Sequence, residues 1–410
     1  MLPRKHSAAR VNRLTKFVAH AYRNAPAVRA LLDTAGIKPS QIKSPSDLEK
    51  IPVTPKDHLI ELQLQAPPFG GFLAVPLHQV HQIFQSPGPL YEPWANETNL
   101  ARVAGKIFKI AGFKRGDIVI NTLSYHLVPA GMILQAGLQK VGATIVPTGV
   151  GNSELQVKLV RELGVTGYAG TPSFLMLLLQ KAEELGVDVR AQWALKRALF
   201  TAEPYPPSLR QQFEGHYGFK TTNVYATAEL GFLAHDCEAQ QGLHFADDVI
   251  IQICDPVTGL HVAPNEAGQV VVTTFNETYP LIRFGTGDMA VYLDAPCACG
   301  RKTHRLALVG RIGDAVKVRG MFVHPNQLRQ AIAKFPAIQR FQAIVTRPNQ
   351  RDELTLKAGS AMELDRAALD PALNQAVREI CRVGLDRLEF VALDELAPDA
   401  RPIVDARQWE

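Results

Sequence analysis

No apolar run in the 410 residues approaches the roughly 20 that a membrane-spanning helix needs. The opening MLPRKHSAAR is followed by no apolar signal core, so a cytoplasmic protein with no membrane partner is the expectation. Cysteine is scarce, and its odd count of five argues for thiols or a metal rather than a disulfide framework. Lys and Arg outnumber Asp and Glu by only 44 to 39, and no basic run carries interleaved aromatics, which speaks against nucleic acid as a partner. No G-x-G-x-x-G follows a predicted strand, so a dinucleotide-binding fold is disfavoured. Internal repeats and low-complexity tracts are absent too.

What is present reads as a globular α/β protein. The composition, 46% hydrophobic and 20% charged, is ordinary for one, and the length exceeds a single common core, so two domains are expected. Apolar spacing predicts an amphipathic helix from Ser7 to about Leu32. From Thr98 to Thr201 helical and extended patterns alternate: helices over 98–112, 127–141, 153–163 and 172–185, strands over 117–123, 143–147, 165–169 and 195–201. That rhythm is the product of parallel βαβ units. After about residue 315 short strands and two helices form a separate α+β pattern.

The most informative stretch runs from Tyr279 to Asn326. It contains PLIRFGTGD, a CACGR turn and GRIGD. A carboxylate at a strand end can accept hydrogen bonds from vicinal ribose hydroxyls, and Gly285 and Gly287 allow a flat ligand close to the backbone, which makes Asp288 the first candidate for a sugar contact. A tight turn between strands is the competing reading. Ser124-Tyr125-His126 follows a predicted strand, where open α/β sheets bind ligands, so Tyr125 and His126 are candidates for a substrate pocket, with a plain surface loop as the alternative. Cys237, His244, Cys297 and Cys299 combine thiolate and imidazole, a set that favours zinc in a closed tetrahedral structural site. His235 competes with His244 as fourth ligand, and buried free thiols are the alternative.

In this order, Tyr225-Ala226-Thr227-Ala228-Glu229, PLIRFGTGD and GRIGD resemble the phenylacetate–CoA ligase family of adenylate-forming, AMP-binding enzymes. The resemblance implies a large multi-layer α/β domain over 1–311 and a small α+β lid over 312–410. It implies ATP, magnesium and CoA as cofactors and a small aromatic carboxylic acid as substrate, joined through an acyl-adenylate. On its pattern Thr201-Ala202-Glu203-Pro204 lies beside the adenine, Tyr225, Ala226 and Thr227 line the nucleotide, Glu229 holds magnesium, Arg311 contacts ribose or phosphate, and Asp314 is the hinge. A helix-start carboxylate is the plain reading of Glu229, and a surface turn that of Asp314. A homodimer is common in the family, and the residues themselves leave it open.

Two departures stand out. The family's Ser/Thr/Gly-rich phosphate loop reads Gln85-Ser86-Pro87-Gly88-Pro89-Leu90-Tyr91-Glu92-Pro93, which leaves Ser86 and Gly88 as phosphate contacts, removes amide donors and adds an acid expected to repel phosphate. The family's adenylation lysine near the C-terminus is missing: the last lysine is Lys357, and Arg401 or Arg407 is left to supply charge. An aryl-acid CoA ligase with altered phosphate handling is therefore one reading. A relative that binds a nucleotide, adenylate or CoA ester without adenylating, as a sensor or partner protein, is the alternative.

Overall fold

Proline and glycine punctuate the elements. The N-terminal amphipathic run is two helices, Ala8–Asn24 and Pro26–Thr34, because Pro26 cannot continue the first and instead starts the second at its preferred early position. A computed structural model describes residues 8–408 except 87–88, 96–97, 265–266, 313–315, 320, 324, 363–365 and 382. Gly88 and Asp314, two of the sequence candidates, lie outside the described residues. The chain divides into two compact units, Met1–Tyr205 with Leu209–Ile312, and Pro206–Ser208 with Gly313–Glu410.

The larger unit holds strands β1 (Thr54–Pro55), β2 (Gln82–Ser86), β3 (Leu90–Trp94), β4 (Ile118–Asn121), β5 (Thr144–Val146), β6 (Gly167–Gly170), β7 (Arg197–Phe200), β8 (Lys220–Thr227), β9 (Gly231–His235), β10 (Leu243–Phe245), β11 (Val249–Cys254), β12 (Ala267–Thr274), β13 (Phe284–Leu293) and β14 (Arg305–Arg311). Twelve of them share a sheet in the order 11-12-13-14-10-9-8-7-6-4-5, with β1 added parallel to β13. β5, β4, β6, β7 and β8 run parallel, as the helix–strand alternation predicts; from β8 to β11 the neighbours along the path are antiparallel. β2 and β3 form a separate antiparallel hairpin.

The parallel strands are apolar on both faces, because successive side chains point to opposite sides and helices cover both. Val119, Ala169 and Leu199 join one buried cluster with the helices Thr98–Ile110 and Ala130–Val141. Their neighbours Ile120, Tyr168, Ala198 and Phe200 join a second cluster with the helix Pro172–Glu184. Thr171 caps that helix by accepting from the Phe174 amide at 3.2 Å.

The smaller unit has a hairpin of β15 (Val316–Val318) and β16 (Met321–Val323), and a four-stranded sheet of β17 (Arg340–Thr346), β18 (Glu353–Ser360), β19 (Arg387–Ala392) and β20 (Ile403–Asp405) in the order 19-18-17-20. The helices Pro325–Ile332 and Arg366–Cys381 cover its own core of Val318, Leu328, Val345, Leu356, Leu373 and Val377.

Candidate active site

Three sequence candidates converge at one point of the large sheet. The Tyr225 hydroxyl, on β8, donates to Asp288 Oδ2 at 2.7 Å, and Arg311 Nε, at the end of β14, contacts Asp288 Oδ1 at 3.0 Å. Burial and the Asp288 charge keep the Tyr225 phenol protonated, so it can only donate in this pair. Asp288 stands inside β13 rather than at a strand end, as the sequence suggested. The signal is a bulge: Asp288 pairs with Arg311 and Met289 with Gly310, then Ala290 pairs with Leu308, which leaves Val309 without a partner. Gly287 adopts φ +79°, a left-handed conformation that L side chains take only at a cost. The glycine and the bulge together aim the carboxylate.

Glu229 lies in the turn after β8 and is buried against Lys56, whose Nζ stands 2.5 Å from Oε1. Burial pushes the Glu229 carboxyl up, but the Lys56 ammonium outweighs it and holds the group below its ordinary value. Lys56, the cation of this pair, is not among the sequence candidates. It sits at the start of the helix Lys56–Gln65, after Ile51-Pro52-Val53-Thr54-Pro55, and its only local signal was a lone lysine in a Pro-rich connector.

The phosphate-loop segment is the β2–β3 hairpin, with Ser86 buried at the end of β2 and Glu92 buried on β3. The expectation that Glu92 repels phosphate is corrected by its surroundings: burial and the neighbouring Glu229 charge push its carboxyl up to about 8, so it carries its proton at neutral pH. Arg407 is not spare charge either. Its side chain is 6% exposed and contacts Asp405 Oδ2 at 2.6 Å and Asp352 Oδ2 at 3.2 Å within the smaller unit, whereas Arg401 is exposed.

Ala202 has φ 74°, a strained left-handed conformation, Pro204 is exposed, and Glu203 accepts from the Ser173 amide at 3.3 Å, at the start of a helix. Ala226 and Thr227 are half-buried on β8. Tyr125 is half-buried, with its hydroxyl accepting from Asn121 Nδ2 at 2.7 Å and its phenol pushed up to about 12 by burial; His126 is exposed.

Cys237, His244, Cys297 and Cys299 bring four donor atoms within 4.8 Å of one another. His244 Nε2 lies 3.3 Å from Cys299 Sγ and its Nδ1 meets Thr303 Oγ1 at 2.8 Å, the outer contact that orients a ligating imidazole. Burial lowers the His244 pKa, so the ring is neutral and able to donate a lone pair. His235 does not join the group; its Nδ1 bonds to the Asp236 carbonyl at 2.7 Å. All five cysteines are free thiols.

No helix among the described residues is long and apolar enough to cross a membrane. Residues 96–276 match the AMP-binding enzyme family. The phenylacetate–coenzyme A ligase of Thermus thermophilus is 32% identical over 87% of this chain and 82% of its own length. That of Aromatoleum evansii is 31% identical over 85% of this chain and 80% of its own. Among solved structures, 2-hydroxyisobutyryl-CoA ligase in complex with 2-HIB-AMP and CoA, in its thioesterification state, superposes with a TM-score of 0.90 at 26% identity, over 98% of this chain and 89% of that one. With the β8, β13 and β14 residues gathered as the motif order requires, and identity sustained along most of both chains, this protein belongs to the phenylacetate–CoA ligase family and has the adenylate-forming ligase fold.

Proposed function

We propose that the protein is an acid–CoA ligase that joins an aryl acid of the phenylacetate type to CoA through an acyl-adenylate. The observation that carries the reading is the Tyr225–Asp288–Arg311 constellation, with the buried Lys56–Glu229 pair placed after the same strand, in a chain similar to ligases along most of its length. Asp288 accepts the ribose hydroxyls, and Arg311 and Tyr225 fix its orientation. Thr201 to Pro204, with Ala226 and Thr227, border the adenine, and Tyr125 and His126 border the acid. Residues 1–311 form the adenylating body and 312–410 a lid that hinges at Asp314.

Glu229 offers the charged oxygen donor that magnesium takes, and Lys56 beside it supplies a cation on the phosphate side that the departing loop and the missing C-terminal lysine do not. Magnesium, when bound, neutralises charge on the phosphates. The protein's own part is to place the carboxylate of the acid in line with the α-phosphate, release pyrophosphate, and then expose the adenylate to the CoA thiol. Because Glu92 keeps its proton, the hairpin adds no negative charge against the phosphates at neutral pH. The three thiols and one imidazole near Thr303 suit zinc, as a structural ion outside the chemistry.

The test is incubation with Mg-ATP, CoA and a pool of aryl and small hydroxy acids, followed by mass spectrometry. AMP with an aryl-CoA ester is the expected outcome. A hydroxyacyl-CoA ester alone would change the acid class, and nucleotide binding without AMP release would replace the ligase by a binding protein. That alternative draws no support from the relatives, each named as a ligase. Replacing Lys56 by Met is expected to slow pyrophosphate exchange at least a hundredfold, with Arg recovering part of it.

A further inference from the structure

The metal cluster lies several residues from Asp288 and Arg311 along β13 and β14, and the row of register partners that carries His244 ends beside Tyr225 on β8. A row of register partners crosses the sheet from Leu293 on β13 to Arg305 on β14, His244 on β10, His235 on β9 and Val224 on β8. The cysteines stand around this row: Cys297 and Cys299 in the loop joining β13 to β14, and Cys237 two residues beyond the end of β9. Asp288 stands farther along inside β13, Arg311 at the far end of β14, and Tyr225 follows Val224 directly on β8. At about 3.4 Å per residue, Arg305 and Arg311 are separated by about 20 Å along the strand.

Both pairings that position the trio are irregular beside it. β13 and β14 shift register between Met289 and Ala290, and β8 and β9 shift between Tyr225 and Ala226. A bulge leaves one residue unpaired, and a slip by one residue would move Asp288 or Tyr225 to the other face of the sheet. Something at the regular end has to hold the register. Buried Leu243 and Leu306 face each other across the ladder there, and the loop is tied down by polar contacts: Ala298 N donates to Gln241 Oε1 at 3.2 Å, Gly300 N to Cys297 O at 3.0 Å, and Arg305 bonds the Gln241 and Ala295 carbonyls.

We infer that a metal ion bound by Cys237, His244, Cys297 and Cys299 is a register clamp for the nucleotide site, so that metal occupancy sets nucleotide affinity across the sheet. The ion ties the β13–β14 loop, β10 and the end of β9 into one rigid point. From there β14 and β13 carry Arg311 and Asp288, and β9 fixes β8 and Tyr225. The inference rests on the zinc reading above and extends it from a structural ion to one coupled to binding. By linkage the coupling is reciprocal: whatever factor zinc adds to nucleotide affinity, nucleotide adds to zinc affinity.

The experiment uses the whole protein, zinc and AMP. Metal content is measured first by competition with a chromophoric chelator, then AMP affinity by calorimetry on zinc-loaded and zinc-stripped protein. We expect stripped protein to bind AMP about tenfold more weakly, zinc to restore the affinity, and saturating AMP to raise zinc affinity by the same factor. Chelator competition passes through zinc-free protein, so circular dichroism is followed alongside it, and where metal-free protein loses its fold the comparison rests on folded Cys299→Ser protein. Cys299→Ser, which weakens the site without emptying it, is expected to move the zinc midpoint and the recovery of AMP affinity together. Equal AMP affinities within twofold, with zinc binding verified, overturn the inference while leaving the zinc site intact. Absence of zinc binding overturns the metal reading, and absence of AMP binding to loaded protein overturns the nucleotide reading; the coupling falls with either.

Discussion

A carboxylate's neighbours decide its role more than its position in a motif. Asp288 is oriented by one phenol and one guanidinium, so removing it takes away hydrogen bonds to a sugar. Asp288→Ala is expected to weaken AMP binding by about 1–3 kcal/mol in calorimetry; unchanged affinity would remove Asp288 from the site. Glu92 behaves in the opposite way. Its neighbours are Glu229, Lys56, Ser86 and Tyr279, and burial beside the Glu229 charge raises its pKa from 4.5 to about 8. Below pH 4.5 both folded and unfolded chains hold the proton. Between 4.5 and 8 only the folded chain does, so stability falls as pH rises through that window and levels above it, by up to about 1.4 kcal/mol per pH unit. Urea titrations of Glu92→Gln against the unsubstituted protein are expected to diverge in favour of the glutamine across that window. Parallel curves would mean that Glu92 is ionised in the fold.

At the scale of the element, the β13–β14 hairpin is shaped by one backbone conformation. The positive φ of Gly287 precedes Asp288, and the bulge follows it. A Cβ at Gly287 would meet Arg311 Nη2 at 3.7 Å, an ordinary contact, so the obstacle to a side chain is the dihedral and not space. Gly287→Ala is expected to cost about 1–2 kcal/mol in thermal unfolding and to weaken AMP binding together with stability. Loss of stability with AMP affinity intact would separate the bulge from the site. The β2–β3 pairing shows the same economy of local shape: Gln82–Ser86 faces Leu90–Trp94 as two short antiparallel strands, with Pro93 on β3 giving no amide donor.

At the scale of the molecule, each unit has its own core, and the smaller one has a buried polar hub. In the smaller unit the hub is Asp352, which faces Arg347 at 2.9 Å and Arg407 at 3.2 Å and accepts from the Arg319 amide at 3.1 Å. Neutralising it leaves two guanidinium groups buried against a weaker partner. Asp352→Asn is expected to destabilise the smaller unit by about 3 kcal/mol. Differential calorimetry should then show a lowered transition for that unit alone, with the transition of the larger unit and its AMP affinity unmoved. A single transition shifted as a whole would mean that the two cores unfold together.

The sequence by itself determined the order of elements. Apolar alternation placed β4, β6 and β7 and their helices within a few residues, since local propensity and burial period agree there. It also determined the candidate chemistry where residue type is decisive: a glycine-flanked Asp288, and three cysteines with one histidine split between two segments of the chain. Choosing His244 over His235 needed the sheet, because His244 on β10 meets Cys299 of the β13–β14 loop whereas the His235 ring bonds the Asp236 carbonyl. Lys56 meets Glu229 only when β1 pairs with β13 and brings the start of the following helix against the turn after β8. No spacing records that meeting. Glu92 was misread, and the partners of Arg407 went unread, for the same reason: whether an acid keeps its proton and what a guanidinium pairs with depend on burial and on charges distant in sequence, which only the tertiary structure brings within reach.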